Sequence, residues 1–298
     1  MKRNVIRRRL SEPKSPADNG SKDGGVQSVD RALLIIETLA EDDEGYRLSD
    51  LSVRTGLSTS TVHRLLATLE KRRFVQFDRY ESKWHVGAQS FAVGATFARR
   101  RNFVAQAMPY LRKLRDQTRE TANLAVVDDE SIIVLTRMES REIMRSLTKV
   151  GGRVAMVASG VGKAVLATYS DEDVNAIIHR QGMPRSTEKS IVRPSELFKE
   201  LHAIRRQGYA VDDEEARIGL RCVAAVVYND CSEPLAAISV SGMTSRLTDD
   251  RLPAIGRTVR GIAAELTAAI GGVMPAAADG ASAKREFGQT DNSTFSSR

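Results

Sequence analysis

At 298 residues, with 41% hydrophobic and 28% charged side chains, the chain has the composition of an ordinary globular protein of about two domains. No apolar run approaches the roughly 18 residues of a spanning helix, and no apolar core follows the basic N-terminus, so neither a membrane segment nor a secretory signal is expected. Cys222 and Cys231 lack zinc-ligand spacing, which predicts a cytoplasmic chain with two free thiols, no metal and no cofactor. The net charge is +7, and residues 1–101 carry 19 Lys/Arg against 13 Asp/Glu, so the positive excess lies in the N-terminal third. Attraction to phosphate is one use of such a field, and solubility is another.

Residues 1–25 are polar, rich in Pro, Gly and Ser, and lack periodicity, which predicts a disordered basic tail. Arg7, Arg8 and Arg9 suit either a phosphate-tracking arm or a plain solubilising tail. Val29 to Ala40 is amphipathic, with Val29, Leu33, Ile36 and Leu39 expected inward, and the acidic 41–45 segment reads as a solvated connection.

Leu48 to Leu69 holds two short helical patterns around Gly56, which supplies the positive φ of a tight turn. Ser49 is the expected cap of the first, with Leu51 and Val53 inward; Ser58 is the expected cap of the second. Val62, Leu65, Leu66 and Leu69 form the buried stripe of the second helix. Its other face offers Thr59, Ser60, Thr61, His63 and Arg64, the hydrogen-bonding surface that major-groove insertion requires. The same residues also fit a helical hairpin with a solvated face.

Two β-like runs around the polar turn Asp78 to Lys83 decide between these readings. A hairpin directly after a recognition helix is a wing, with Arg79 and Lys83 at its tip and Phe74 and Trp84 packed on the helices. A winged helix-turn-helix is therefore expected over 26–86, followed by a linker helix over 87–102. Phe91, Gly94, Ala95 and Ala98 are the linker's close-packing positions.

Downstream, a helix is expected over 104–118, with Ala105, Met108, Leu111 and Leu114 inward and a kink or start near Pro109. Strands are expected over 121–127 and 131–137 as a hairpin, then over 143–150, 221–228 and 235–241. Helices are expected over 159–168, 197–207 and 249–270. This predicts an α+β domain with an antiparallel sheet over 103–272, and residues 273–298 read as a second disordered tail.

Ser159-Gly160-Val161-Gly162-Lys163 looks like a phosphate loop, but Val157 and Ala164 stand where a Walker motif needs Gly and Ser/Thr. What survives is a glycine-containing turn at a helix N-terminus, suited to a small carboxylate. Asp212 to Glu215 read as a solvated acidic loop, with paired carboxylates for acid–base work as the competing reading. Cys222 lies on an apolar strand as a core thiol would. Ser239 and Ser241 share one side of a strand, facing solvent or a polar pocket. His85, His179 and His202 have no metal spacing, and no catalytic constellation is present.

The stretches LSDLSVRTGLSTSTVHRLLATLEKRRFV, WHVGAQSFAVG, VGGRVAMVASGVGKAVLA and GYAVDDEEARIGLRCVAAVVYNDCSEPLAAISVSGMTSRLTDDR resemble the IclR family of bacterial transcriptional regulators over roughly 26–272. The glycine loop, the DDEE segment and the GLRC and SVSG strands look like the glyoxylate-responsive branch, with the repressors of the glyoxylate shunt and of allantoin use. The resemblance implies a GAF/profilin-like effector domain, a double-stranded DNA operator as partner, and a homodimer or dimer of dimers. In that branch Gly160, Val161, Asp212, Cys222, Ser239 and Ser241 would hold a small 2-oxo acid such as glyoxylate or pyruvate. Ile143, Ser146, Val154 and Leu220 would form its apolar wall. Ser146 is more polar than the family pattern, and Val157 replaces a frequent histidine.

The expectation is a repressor, not an enzyme, reading DNA through Ser58, Thr59, Ser60, Thr61, His63, Arg64 and Arg79. The alternatives are a family regulator or activator tuned to another organic, aromatic or sugar acid, and an enzyme acting on a 2-oxo acid through Asp212, Ser239 and Cys222.

Overall fold

The computed structural model describes residues 25–100, 103–128, 131–140 and 149–275. The tails, and the strand expected from residue 143, fall wholly or largely outside these ranges, as do Arg7 to Arg9, Ile143 and Ser146. The chain divides into two compact units between Gly94 and Ala95.

In the first unit, α1 (Gln27–Ala40), α2 (Leu48–Thr55) and α3 (Thr59–Lys71) are followed by β1 (Val75–Asp78) and β2 (Lys83–Val86). Ile35, Leu39, Tyr46, Leu51, Val62, Leu66, Val75 and Trp84 close one core. Gly56 ends α2 at φ 68°, and Ser58 caps α3 by accepting the Thr61 N–H at 3.3 Å. β1 and β2 pair antiparallel from Val75–Val86 to Asp78–Lys83, and Tyr46 adds a bridge to Trp84. This is a helix-turn-helix arrangement followed by a two-stranded hairpin.

Three inward assignments and one cap in this unit are corrected. In α1 the buried side chains are Ile35, Thr38 and Leu39, while Val29 and Leu33 are exposed, because the helix is rotated toward Tyr46 and Leu51. Val53 is 83% exposed; Leu51 is the α2 side chain buried in the core, with Leu48 packed at its margin. Ser49 is not the cap of α2; Arg47 precedes the helix, and its backbone N–H is taken by the Asp50 carboxylate at 3.2 Å.

α4 (Ala88–Arg100) is helical as expected for this stretch, although its Phe91 is exposed instead of closely packed. α5 (Phe103–Thr118) starts six residues before Pro109 and buries Phe103, Ala107, Leu111 and Leu114; Ala105 is exposed. β3 (Thr121–Asp128) and β4 (Ser131–Met138) form the expected hairpin, and β5 (Arg153–Ala155) joins the edge. α6 (Gly160–Leu166), α7 (Asp171–Gln181), α8 (Pro194–Gln207), β6 (Ala210–Asp213), β7 (Leu220–Tyr228), β8 (Pro234–Met243) and α9 (Leu252–Ala269) complete the order.

The six strands run β5-β4-β3-β8-β7-β6, all antiparallel. Alternation sends Leu124, Val223, Ile238 and Val240 to the face covered by α5 and α9. Ala125, Ala210, Ala224 and Ala237 face the layer of α6, α7 and α8. The second unit is therefore an antiparallel sheet between two helical layers. Among the described residues no helix is long and apolar enough to cross a membrane.

Candidate functional site

On the first unit, α3 presents Ser58, Thr59, Ser60, His63 and Arg64 exposed, with Thr61 half-buried. The hydroxyls are partly committed to one another. Ser58 Oγ lies 2.8 Å from Thr61 Oγ1 and 3.1 Å from Ser60 Oγ, while Thr59 Oγ1 lies 3.4 Å from Ser52 Oγ. His63 and Arg79 line one groove together with Arg47, Ser49 and Phe77. The wing tip is set by Asp78, whose carboxylate accepts the Tyr80 and Glu81 N–H groups; those bonds hold its pKa below the ordinary value. Lys83 is paired with Glu81 at 3.2 Å, which leaves Arg79 as the tip cation outside that pair.

On the second unit, the sheet brings the sequence-distant candidates into one row. Asp212 pairs with Cys222 across β6 and β7, and Cys222 pairs with Ser241 across β7 and β8. Ser239 pairs with Asn123 across β8 and β3. These side chains share a face, since residues two apart on a strand point the same way. Gly160 and Val161 close over that face at the start of α6, and all six candidates line one cavity of about 90 Å³. Val154 and Leu220 line it as well.

Close packing explains the glycines. A Cβ on Gly160 would lie 3.0 Å from the Cys222 carbonyl oxygen and 3.3 Å from its sulfur. One on Gly162 would lie 2.1 Å from the Met156 carbonyl oxygen, so only glycine fits there. Ser159 caps α6 by accepting the Gly162 N–H at 3.0 Å. The first-turn amides of Gly160 and Val161 have no acceptor within the helix itself.

The acidic segment is not the solvated loop expected. Asp212 and Glu215 are buried, because β6 is a strand and the turn after it folds inward. Asp212 Oδ1 accepts the Glu215 N–H at 2.8 Å and the Ala216 N–H at 3.3 Å. Lys163, the lysine of the false phosphate loop, is fully buried and spends its ammonium on Glu215 Oε1 at 2.5 Å and the Val211 carbonyl at 2.6 Å. Burial raises the pKa of Asp212 and of Glu215, with the backbone donors and Lys163 opposing it. Cys222 is pushed up to about 11, first by burial and then by the Asp212 charge, with the neighbouring Ser241 and Ser239 hydroxyls opposing the rise. It is a neutral thiol at physiological pH.

Several lining residues escaped sequence reasoning, Asn123 and Arg217 among them. Asn123 donates to Ser239 Oγ at 3.4 Å and Ser241 Oγ at 3.3 Å, and Arg217 lies at the cavity's exposed edge. Asn123 had a signal, as an inward polar residue in the otherwise apolar run 122–127; Arg217 had none. No group of three metal-ligating side chains occurs among the described residues.

Known proteins match both units. Residues 95–268 match the family model described as bacterial transcriptional regulator IclR C-terminal, and residues 28–79 match the IclR helix-turn-helix domain. The chain belongs to the IclR family. It is 42% identical over 251 residues to the acetate operon repressor of Salmonella typhimurium, covering 84% of this chain and 92% of that one. It is 41% identical over 252 residues to the transcriptional repressor IclR of Escherichia coli, with coverages of 84% and 92%. The crystal structure of an IclR transcriptional regulator from Alicyclobacillus acidocaldarius gives a TM-score of 0.71 at 25% identity, covering 83% of this chain and all of that one. IclR-family proteins are DNA-binding transcription factors, so this chain is a regulator and not an enzyme. The relatives mark the family without singling out one of its branches.

Proposed function

We propose that the chain is a dimeric repressor whose hold on its operator is modulated by a small 2-oxo acid, with glyoxylate the best fit. The observation that carries this reading is the row Asp212–Cys222–Ser241, roofed by Gly160 and Val161, around a cavity of about 90 Å³. That is well below the roughly 300–1,000 Å³ of sites for drug-sized ligands, so the space suits a small acid. The amides of Gly160 and Val161 would take the carboxylate. Ser239, Ser241 and Cys222 would surround the carbonyl oxygen or its hydrate, and Asp212 would meet the hydrate or a water. Val154 and Leu220 would be apolar wall, with Ile143 and Ser146 assigned there by family likeness alone.

In this reading the effector domain is GAF/profilin-like, and Ser58, Thr59, Ser60, Thr61, His63 and Arg64 read the operator with Arg79 at the wing. Paired readers require half-sites about 34–36 Å apart or a multiple of that, so a small change in their separation or dynamics weakens binding. Isothermal titration with glyoxylate is the test: heat with the wild type, and none with Asp212→Ala plus Cys222→Ala, is expected. A silent wild type would remove glyoxylate; unchanged heat in the variant would remove the pocket assignment. A second reading, a longer organic acid with another anionic group, draws on the exposed Arg217 at the cavity's edge.

A further inference from the structure

We infer that Asn123 is a positioning residue that turns Ser239 and Ser241 into hydrogen-bond donors toward the effector. The inference rests on the pocket reading above. A serine hydroxyl carries one proton and can accept or donate; the partner it already has decides which. Here one amide serves both. Asn123 lies in β3 opposite Ser239, is 8% exposed, and its Nδ2 reaches Ser239 Oγ at 3.4 Å and Ser241 Oγ at 3.3 Å.

An amide nitrogen only donates. Each serine oxygen therefore accepts from Asn123, and each hydroxyl proton is left to point elsewhere. Cys222 stands opposite Ser241 in register and lines the same cavity, so its sulfur is the acceptor the chain itself offers there. That sulfur is a weak acceptor. An aldehyde oxygen or a carboxylate beside the same serines is a stronger one, and taking over two donors already aimed leaves fewer rotors to fix on binding. The selectivity follows: ligands presenting an oxygen acceptor to this end of the cavity are favoured over ligands presenting a donor.

A residue that works through two others loses its effect when they are gone, which a double-mutant cycle detects. Glyoxylate affinity is measured by isothermal titration for wild type, Asn123→Ala, Ser239→Ala/Ser241→Ala, and the triple variant, with melting temperatures confirming that each is folded. Asn123→Ala is expected to weaken glyoxylate about tenfold in the wild-type background, and less than about twofold once both serines are alanine. Equal losses in the two backgrounds would show that Asn123 acts on its own, as a direct contact or as packing, and would overturn the inference while leaving the pocket intact. No glyoxylate binding by the folded wild type would overturn the pocket reading and this inference with it.

Discussion

Lys163 and Glu215 form a buried ion pair, 2.5 Å from ammonium to carboxylate, and the Glu215 N–H is held by Asp212 at the end of β6. Removing one partner strands the other charge in the core. Lys163→Met is expected to cost about 3–5 kcal/mol in denaturant unfolding at pH 8. Burial already holds the Glu215 pKa above its ordinary 4.5, and without the ammonium it rises further. A carboxyl raised in the folded state contributes its full stability below the unfolded pKa and loses it as the pH climbs through the folded one. The deficit of the variant should therefore shrink toward pH 5, and a deficit independent of pH would contradict the pairing.

Asp212 is the second buried acid whose pKa burial raises. The same sign applies: its protonated form suits the fold, and stability falls as the pH passes upward through its folded value. Asp212→Asn keeps an oxygen for the Glu215 and Ala216 N–H groups and removes the charge. Unfolding at pH 7 should show a gain of about 1 kcal/mol, in the range seen when a functional site is relieved. The gain should shrink as the pH falls through the raised folded value and be gone below the ordinary 3.8, where folded and unfolded wild type both hold the proton. Loss of stability at pH 7 would instead make the charge a structural requirement.

Gly162 sets the approach of α6 to the Met156 turn. Gly162→Ala should destabilise by about 1–3 kcal/mol through forced overpacking, seen as a lowered urea midpoint. Gly160→Ala meets only moderate crowding, from the Cys222 carbonyl and sulfur, so it should cost less stability. An unchanged midpoint for Gly162→Ala would mean that α6 does not sit this close.

Arg64 and Arg79 should separate in DNA-binding assays. Arg64→Ala is expected to cost about 1–3 kcal/mol and to relax preference at one operator position, as a guanine contact would. Arg79→Ala should weaken every sequence alike and reduce the salt slope by about one. Equal loss across sequences for Arg64→Ala would make it a phosphate contact.

Helix-turn-helix, wing and most strands were legible because their patterns are local: Gly56 and Ser58 act within three residues of themselves, and the stripe Val62, Leu66 reports one face. Inward faces were less legible where an element is short or faces more than one neighbour. Val53 and Val29 are apolar at plausible positions and yet exposed. α7 had local signals in the Ser170 cap and the Gly182 stop, but no strong stripe, and only Val174 and Ile177 are buried. Four consecutive acids look solvated in one dimension; that Asp212 and Glu215 are buried depends on Lys163, some 50 positions away. The pocket residues came from family likeness, and the row that joins them is a property of strand order, which spacing along the chain does not express.

The central claim is that the cavity controls the grip of the reader on DNA. Electrophoretic mobility shift on the intergenic DNA upstream of the protein's own coding sequence, with and without glyoxylate, tests it most directly. The wild type should shift the DNA and release it as glyoxylate is added, while folded Asp212→Ala/Cys222→Ala should shift it and hold on. Release from both proteins alike, or from neither, would contradict the account.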